Sequence, residues 1–148
     1  MSVILKPQDV LILLKLIALS PERPTFAVLA EALSMSPSEV HAGVKRAQKS
    51  RLYAAATGEP VREHLIEFLV HGVKYAYPCE LGGKTRGLPT AFGAPPLNEH
   101  VTTEETLPPV WPYSEGTVAG ISMSPLYRSV PQAANRDARL YRLLVDRK

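Results

Sequence analysis

The chain has 148 residues, 45% of them hydrophobic and 21% charged, which supports one packed domain and excludes wholesale disorder. A net charge of +3 permits a nucleic-acid partner without requiring one. Cys79 is the only cysteine, so no internal disulfide is possible and a reducing compartment fits better than a secreted, stapled scaffold.

The first element is the run from Pro7 to Leu19, apolar almost all round, which predicts a central buried helix. Lys15 interrupts its hydrophobic stretch, and a membrane span needs about 20 apolar residues. Ala18-Leu19-Ser20 has the small-x-small form of a signal cleavage site. Asp9 before the run, Lys15 inside it and Pro21 after it argue against that reading, and no membrane association is expected. Thr25 can cap a short helix over 26–33, with Phe26, Leu29, Ala30 and Leu33 on its apolar face. In "SMSPSEV", Ser36 is an N-cap, Pro37 takes the first helical position and Glu39 completes a capping box. The helix that follows runs to about Ser50 with Val40, Val44 and Ala47 inward.

"RLYAAA" (51–56) reads as a short strand, ended by Gly58-Glu59-Pro60. Residues 61–71 read as an amphipathic helix closed by Gly72, with Val61, Leu65, Ile66, Phe68 and Leu69 on one side. "VKYAYP" (73–78) and 117–123 read as strands, and a last helix extends from Ser129 or Gln132 to Val145. Eight of the fourteen prolines fall within 73–128, beside Gly82, Gly83, Gly87, Gly93, Gly116 and Gly120, which excludes long helices there.

The outward face of the helix after Ser36 carries Ser38, His41, Ala42, Lys45, Arg46 and Lys49. With Arg51 it places four positive charges within seven residues and no acid between them. The stretch "TFAVLAEALSMSPSEVHAGVKRAQKSRLY" resembles the helix-turn-helix of winged-helix bacterial transcription regulators, broadly MarR-like, over about residues 9–53. Small Ala30 stands at the helix crossing, Ser34-Met35-Ser36 forms the turn, and Met35 can plug the gap beneath it. Gly43 inside the second helix costs about 1 kcal/mol against alanine; close packing, or close approach of a ligand backbone, would account for it.

The resemblance implies a mainly α fold with small β elements (α+β). A winged helix-turn-helix domain over 1–78 is followed by a Gly/Pro-rich extension over 79–148 with a short strand and a terminal helix. It implies double-stranded DNA as the partner, with Ser38 and His41 reading base edges and Lys45 as a further candidate. Ser36, Arg46, Lys49 and the helix N-terminus would hold phosphates. The sequence departs from the pattern after residue 53, where "AAATGEPV" offers no basic wing tip.

Gly83-Lys84-Thr85 looks like the end of a phosphate-binding loop, but Pro78 stands where that loop needs its first glycine, and Gly87 and Pro89 stop any following helix. Nucleotide hydrolysis is therefore not expected. Lys84 and Arg86 can act as a surrogate wing on DNA or meet a partner subunit. The preferred reading is a structured surface loop pinned by Leu81, Leu88 and Phe92.

His64, Glu67 and His71 lie within about 60° on a helical wheel, a spacing that suits a divalent metal but more often marks the wet side of a helix. No neighbour plainly activates Cys79, and no nucleophile motif appears. The expectation is no enzyme, no cofactor and no metal. Trp111, Tyr113, Tyr127 and Tyr141, with Leu140, Leu143, Leu144 and Val145, fit either a homodimer interface or the core of the extension.

The sequence thus predicts a sequence-specific, non-catalytic DNA-binding regulator, a repressor by preference, in a bacterial cytoplasm and acting as a homodimer. The alternative is a winged-helix protein-interaction subunit that meets an acidic protein surface and binds no DNA.

Overall fold

The computed structural model describes residues 4–95 and 107–145. Helix α1 (Pro7–Leu19) is the centre of the molecule, with Val10 to Leu14 at most 1% exposed. Its sequence is apolar almost all round because other elements pack around it. Helix α2 (Phe26–Leu33) starts where Thr25 Oγ1 accepts the Val28 amide at 3.2 Å, and helix α3 (Pro37–Lys49) starts at Ser36 with proline in its first turn. Strands β1 (Tyr53–Ala54) and β2 (Glu59–Pro60) make a minimal antiparallel hairpin, turned by Gly58 at φ +68.

Helix α4 (Arg62–His71) buries only Leu65 fully. Ile66, expected on its inner side, is 60% exposed: it sits at the margin of the apolar arc, and the contact with the core is made instead by Leu65, Phe68 and Leu69. The strand expected over 73–78 is a short helix, α5 (Val73–Ala76). The backbone of Gly72 stays helical (φ −110, ψ −40), and its carbonyl accepts the amides of Tyr75 and Ala76. Burial of Val73 in this turn overrides the strand preference of its valine and tyrosines.

The glycine stretch expected as a loop is a strand, β3 (Leu81–Pro89). A 3₁₀ turn (Ala91–Gly93) and strands β4 (Pro109–Pro112) and β5 (Val118–Met123) follow. The side chain of Phe92, expected to pin the loop, lies outside the described residues. β3 runs antiparallel to both others, pairing Leu88 with Trp111 and Thr85 with Gly120, while β4 and β5 pair in parallel through Pro109 and Ile121. Each strand therefore contacts the other two, and the backbones crowd together. A Cβ on Gly87 would strike the Trp111 carbonyl oxygen, and one on Gly120 the Pro108 carbonyl oxygen. The glycines are what allow this closure.

The terminal helix is two helices, α6 (Val130–Arg136) and α7 (Ala138–Val145), broken at Asp137. Asp137 is extended (φ −145), and its Oδ1 accepts the amides of Arg139 and Leu140 at 3.0 and 3.1 Å. Its Oδ2 accepts from Lys15 Nζ at 2.6 Å. One carboxylate thus caps α7 and satisfies the lysine in the middle of α1. Trp111, Leu126, Val130, Leu140, Leu144 and Val145 join the same buried cluster as α1, α2 and α3. The extension packs on the first segment. Among the described residues no helix is long and apolar enough to cross a membrane.

Candidate nucleic-acid interface

The turn between α2 and α3 is fixed by backbone bonds at both ends. Ser34 adopts a left-handed conformation (φ 55), its amide meets the Glu31 carbonyl at 3.3 Å, and the Met35 amide meets that of Ala30 at 2.9 Å. That pairing is a Schellman ending, and Met35 packs half-buried against the core beneath it. Ser36 Oγ then accepts the Glu39 amide at 3.1 Å and lies 3.1 Å from the Ser38 hydroxyl. The reciprocal half of the capping box is absent: Glu39 Oε1 instead lies 3.9 Å from Nη2 of the exposed Arg128, in the segment before α6.

Val40, Gly43, Val44 and Ala47 are buried beneath α3, while Ser38, His41, Lys45, Gln48 and Lys49 are exposed. His41 rests edge-on against Phe26 of α2, with ring centroids 5.4 Å apart. The two-helix unit thus presents a polar face with two lysines near its C-terminal end. Gln48 belongs to this face as well; attention to charge alone passes over it.

Arg46 departs from expectation. It points away from this face and forks onto Asp9, with Nε 2.7 Å from Oδ2 and Nη2 2.9 Å from Oδ1. Asp9 has no solvent exposure, and its Oδ2 also accepts the Lys6 amide at 2.9 Å. The hydrogen bonds that Arg46 donates to Asp9 raise its pKa above the ordinary value, against the opposing effect of burial. Space for this pair comes from Gly43, where a Cβ would lie 2.7 Å from Asp9 Oδ1 and 2.6 Å from Ile12 Cδ1. Close packing against α1 therefore accounts for that glycine. The available signal was Asp9 itself: a carboxylate inside a buried apolar helix requires a cation from a facing element.

The end of α3 repeats the Schellman pattern. The Arg51 amide meets the Gln48 carbonyl at 3.0 Å, and the Leu52 amide meets that of Ala47 at 2.9 Å. Arg51 takes the left-handed position (φ 64) that glycine usually fills, and its side chain is exposed. Its carbonyl accepts from His64 Nδ1 at 2.7 Å, which fixes the proton on that nitrogen. The β1–β2 hairpin has no cation at its tip, which is Ala55, Ala56 and Thr57.

Ser36, Ser38, His41, Lys45 and Lys49 share one helix, and Arg51 stands at its C-terminal end. Lys84 and Arg86 are exposed on a different element, β3, opposite Ile121 and Ala119 of β5. His64 is committed to Arg51, and no group of three or more metal-competent side chains occurs among the described residues. Cys79 is exposed, with Sγ 3.6 Å from the Ser124 carbonyl oxygen. No family model, curated protein or solved structure matches the chain.

Proposed function

We propose that the chain is a winged-helix-like transcription regulator, a repressor by preference, of a bacterial cytoplasm. In this reading α3 enters the major groove of double-stranded DNA. Ser38 and His41 meet base edges near its N-terminus, Lys45, Lys49 and Arg51 hold phosphates toward its C-terminus, and Ser36 contacts the backbone at the helix start. Lys84 and Arg86 are second-rank backbone contacts from β3. Arg46 leaves the set of contacts and becomes the residue that holds α3 on α1.

The observation that carries the proposal is the exposed face of α3: serine, imidazole, lysine, glutamine and lysine in succession, with His41 edge-on against Phe26 of α2. An exposed stripe with serines at its start and cations toward its end suits a helix whose early residues meet base edges. Selection of duplex fragments from a genomic pool tests it. Wild-type protein should enrich a defined set of fragments, and the double variant Lys45→Ala/Lys49→Ala should lose that enrichment while keeping its circular dichroism spectrum. Equal enrichment by the two proteins would remove α3 from the groove.

A further inference from the structure

Resting on the reading of α3 as a groove helix, we infer that Arg128 is a further backbone-contacting residue of the same interface. The anion it takes is a DNA phosphate on the wall of the major groove away from α2. The segment that carries Arg128 is fixed on both sides, since Leu126 and Val130 are buried in the common core and α6 packs on α2. The side chain itself is 75% exposed, with Nη2 3.9 Å from Glu39 Oε1. Its Cζ lies 5.1 Å from the centre of the Tyr127 ring, whose face holds the guanidinium in place. The contact with Glu39 is too long for a hydrogen bond, which leaves the guanidinium donors to a stronger acceptor.

Position around α3 decides which wall Arg128 meets. At about 100° per residue, Glu39 lies about 160° round the helix from His41, with Ser38 and Lys45 between them. His41 rests on Phe26, so its flank is the α2 side; Glu39, with Arg128 beside it, marks the other flank. A helix in the major groove, about 12 Å wide, has a sugar–phosphate strand along each flank. With Ser38 and Lys45 toward the bases, α2 approaches one strand and Arg128 the other. Arg46 also lies toward this second flank but is committed to Asp9. Glu39 is in the first turn of α3, whereas Lys45 and Lys49 lie farther along, so Arg128 adds a cation at the end of the helix where they do not reach. Glu39 carries the opposing charge there. A phosphate that takes the guanidinium exchanges a loose carboxylate contact for a charge-assisted hydrogen bond, against some repulsion from Glu39.

Binding of an enriched duplex, followed against salt concentration, tests the contact. Each phosphate neutralised contributes about 0.9 to the slope of log K against log salt. Arg128→Ala should lower the wild-type slope by about 0.9, weaken binding about five- to tenfold at about 0.1 M salt, and enrich the same fragments. Arg128→Lys should restore the slope. Arg142→Ala removes the same charge from an exposed position on α7, which packs on α1 and α6, and should leave the slope unchanged. Glu39→Gln should bind at least as tightly as the wild type. A wild-type slope in Arg128→Ala would overturn the contact while leaving α3 in the groove. So would an equal drop in Arg142→Ala, which is an effect of net charge alone. Glu39→Gln that weakens binding as much as Arg128→Ala would make the pair a structural tie and overturn the contact too. Wild-type protein that enriches no fragment removes α3 from the groove and Arg128 with it, a result distinct from a change of slope.

Discussion

At Asp9 a carboxylate with no solvent exposure accepts from the Lys6 amide and from two guanidinium nitrogens of Arg46. Lys45, the preceding residue in sequence, lies about 100° round α3 from Arg46 and is exposed. Two neighbouring cations therefore belong to different problems, Arg46 to folding and Lys45, in the proposed reading, to recognition. Arg46→Ala should destabilise the protein by about 3–5 kcal/mol, because it strands a buried charge. Lys45→Ala should change stability by no more than about 0.5 kcal/mol. Urea unfolding of the two variants measures the difference; similar midpoints would mean that the Asp9–Arg46 pair does not secure α3. A duplex-binding assay on Arg46→Ala would mix loss of folding with loss of contact. The proposed interface is for that reason better probed at Lys45 and Lys49.

Among the elements, the helices up to residue 50 were legible because their signals are local: Thr25 and Ser36 cap within one turn, and Pro37 presets the next. β3 was hidden because its glycines serve a close approach to β4 and β5 set by partners far along the chain. The candidate site divided in the same way. The exposure of Ser38, His41, Lys45 and Lys49 follows from helical spacing, whereas the inward turn of Arg46 depends on α1 crossing at Gly43. The joint between α6 and α7 was missed although Asp137 caps α7 through the nearby Arg139 and Leu140 amides; what sequence could not show is its pair with Lys15, 122 positions away. Burial works to raise the Asp137 pKa, but Lys15 and the Arg139 and Leu140 amides outweigh it and hold the carboxyl below its usual value. A depressed folded value means the unfolded chain binds its proton first as pH falls. The stabilisation is complete above about pH 5 and declines as pH drops through the folded value, below about pH 4. Asp137→Asn keeps the cap oxygen and removes the charge. The wild type should exceed it by about 2 kcal/mol between pH 5 and 8, with the gap closing below about pH 4. A gap of constant size down to about pH 3, past the usual aspartate value, would show that the Lys15 pair contributes nothing through its charge.

Across the whole molecule, α1 is the shared wall of two assemblies. α2 and α3 close on one part of it, and α7 covers another, held by Lys15–Asp137 and by Leu140 and Leu144 in the common cluster. The Tyr141 hydroxyl also donates to the Pro89 carbonyl, and its ring centre lies 5.8 Å from that of Trp111. α7 thereby ties the three-stranded unit to the helices. Burial pushes the Tyr141 pKa up to about 12, consistent with a neutral hydroxyl kept inside this joint. One continuous core predicts one cooperative transition. Trp111 is the only tryptophan and is 1% exposed, so its fluorescence reports the extension, while far-ultraviolet circular dichroism is dominated by α1, α3 and α4. In urea the two signals should change together. Leu140→Ala, which empties a fully buried position on α7, should lower stability by about 2–5 kcal/mol and move both midpoints equally. If the helical signal instead kept its midpoint while the tryptophan signal shifted, residues up to about 78 would be an autonomous unit and α1 would not need its C-terminal cover. The buried face that α1 turns toward Leu140 and Leu144 makes the single transition the expected result, because removing that cover would expose apolar surface the first segment has no other means of burying.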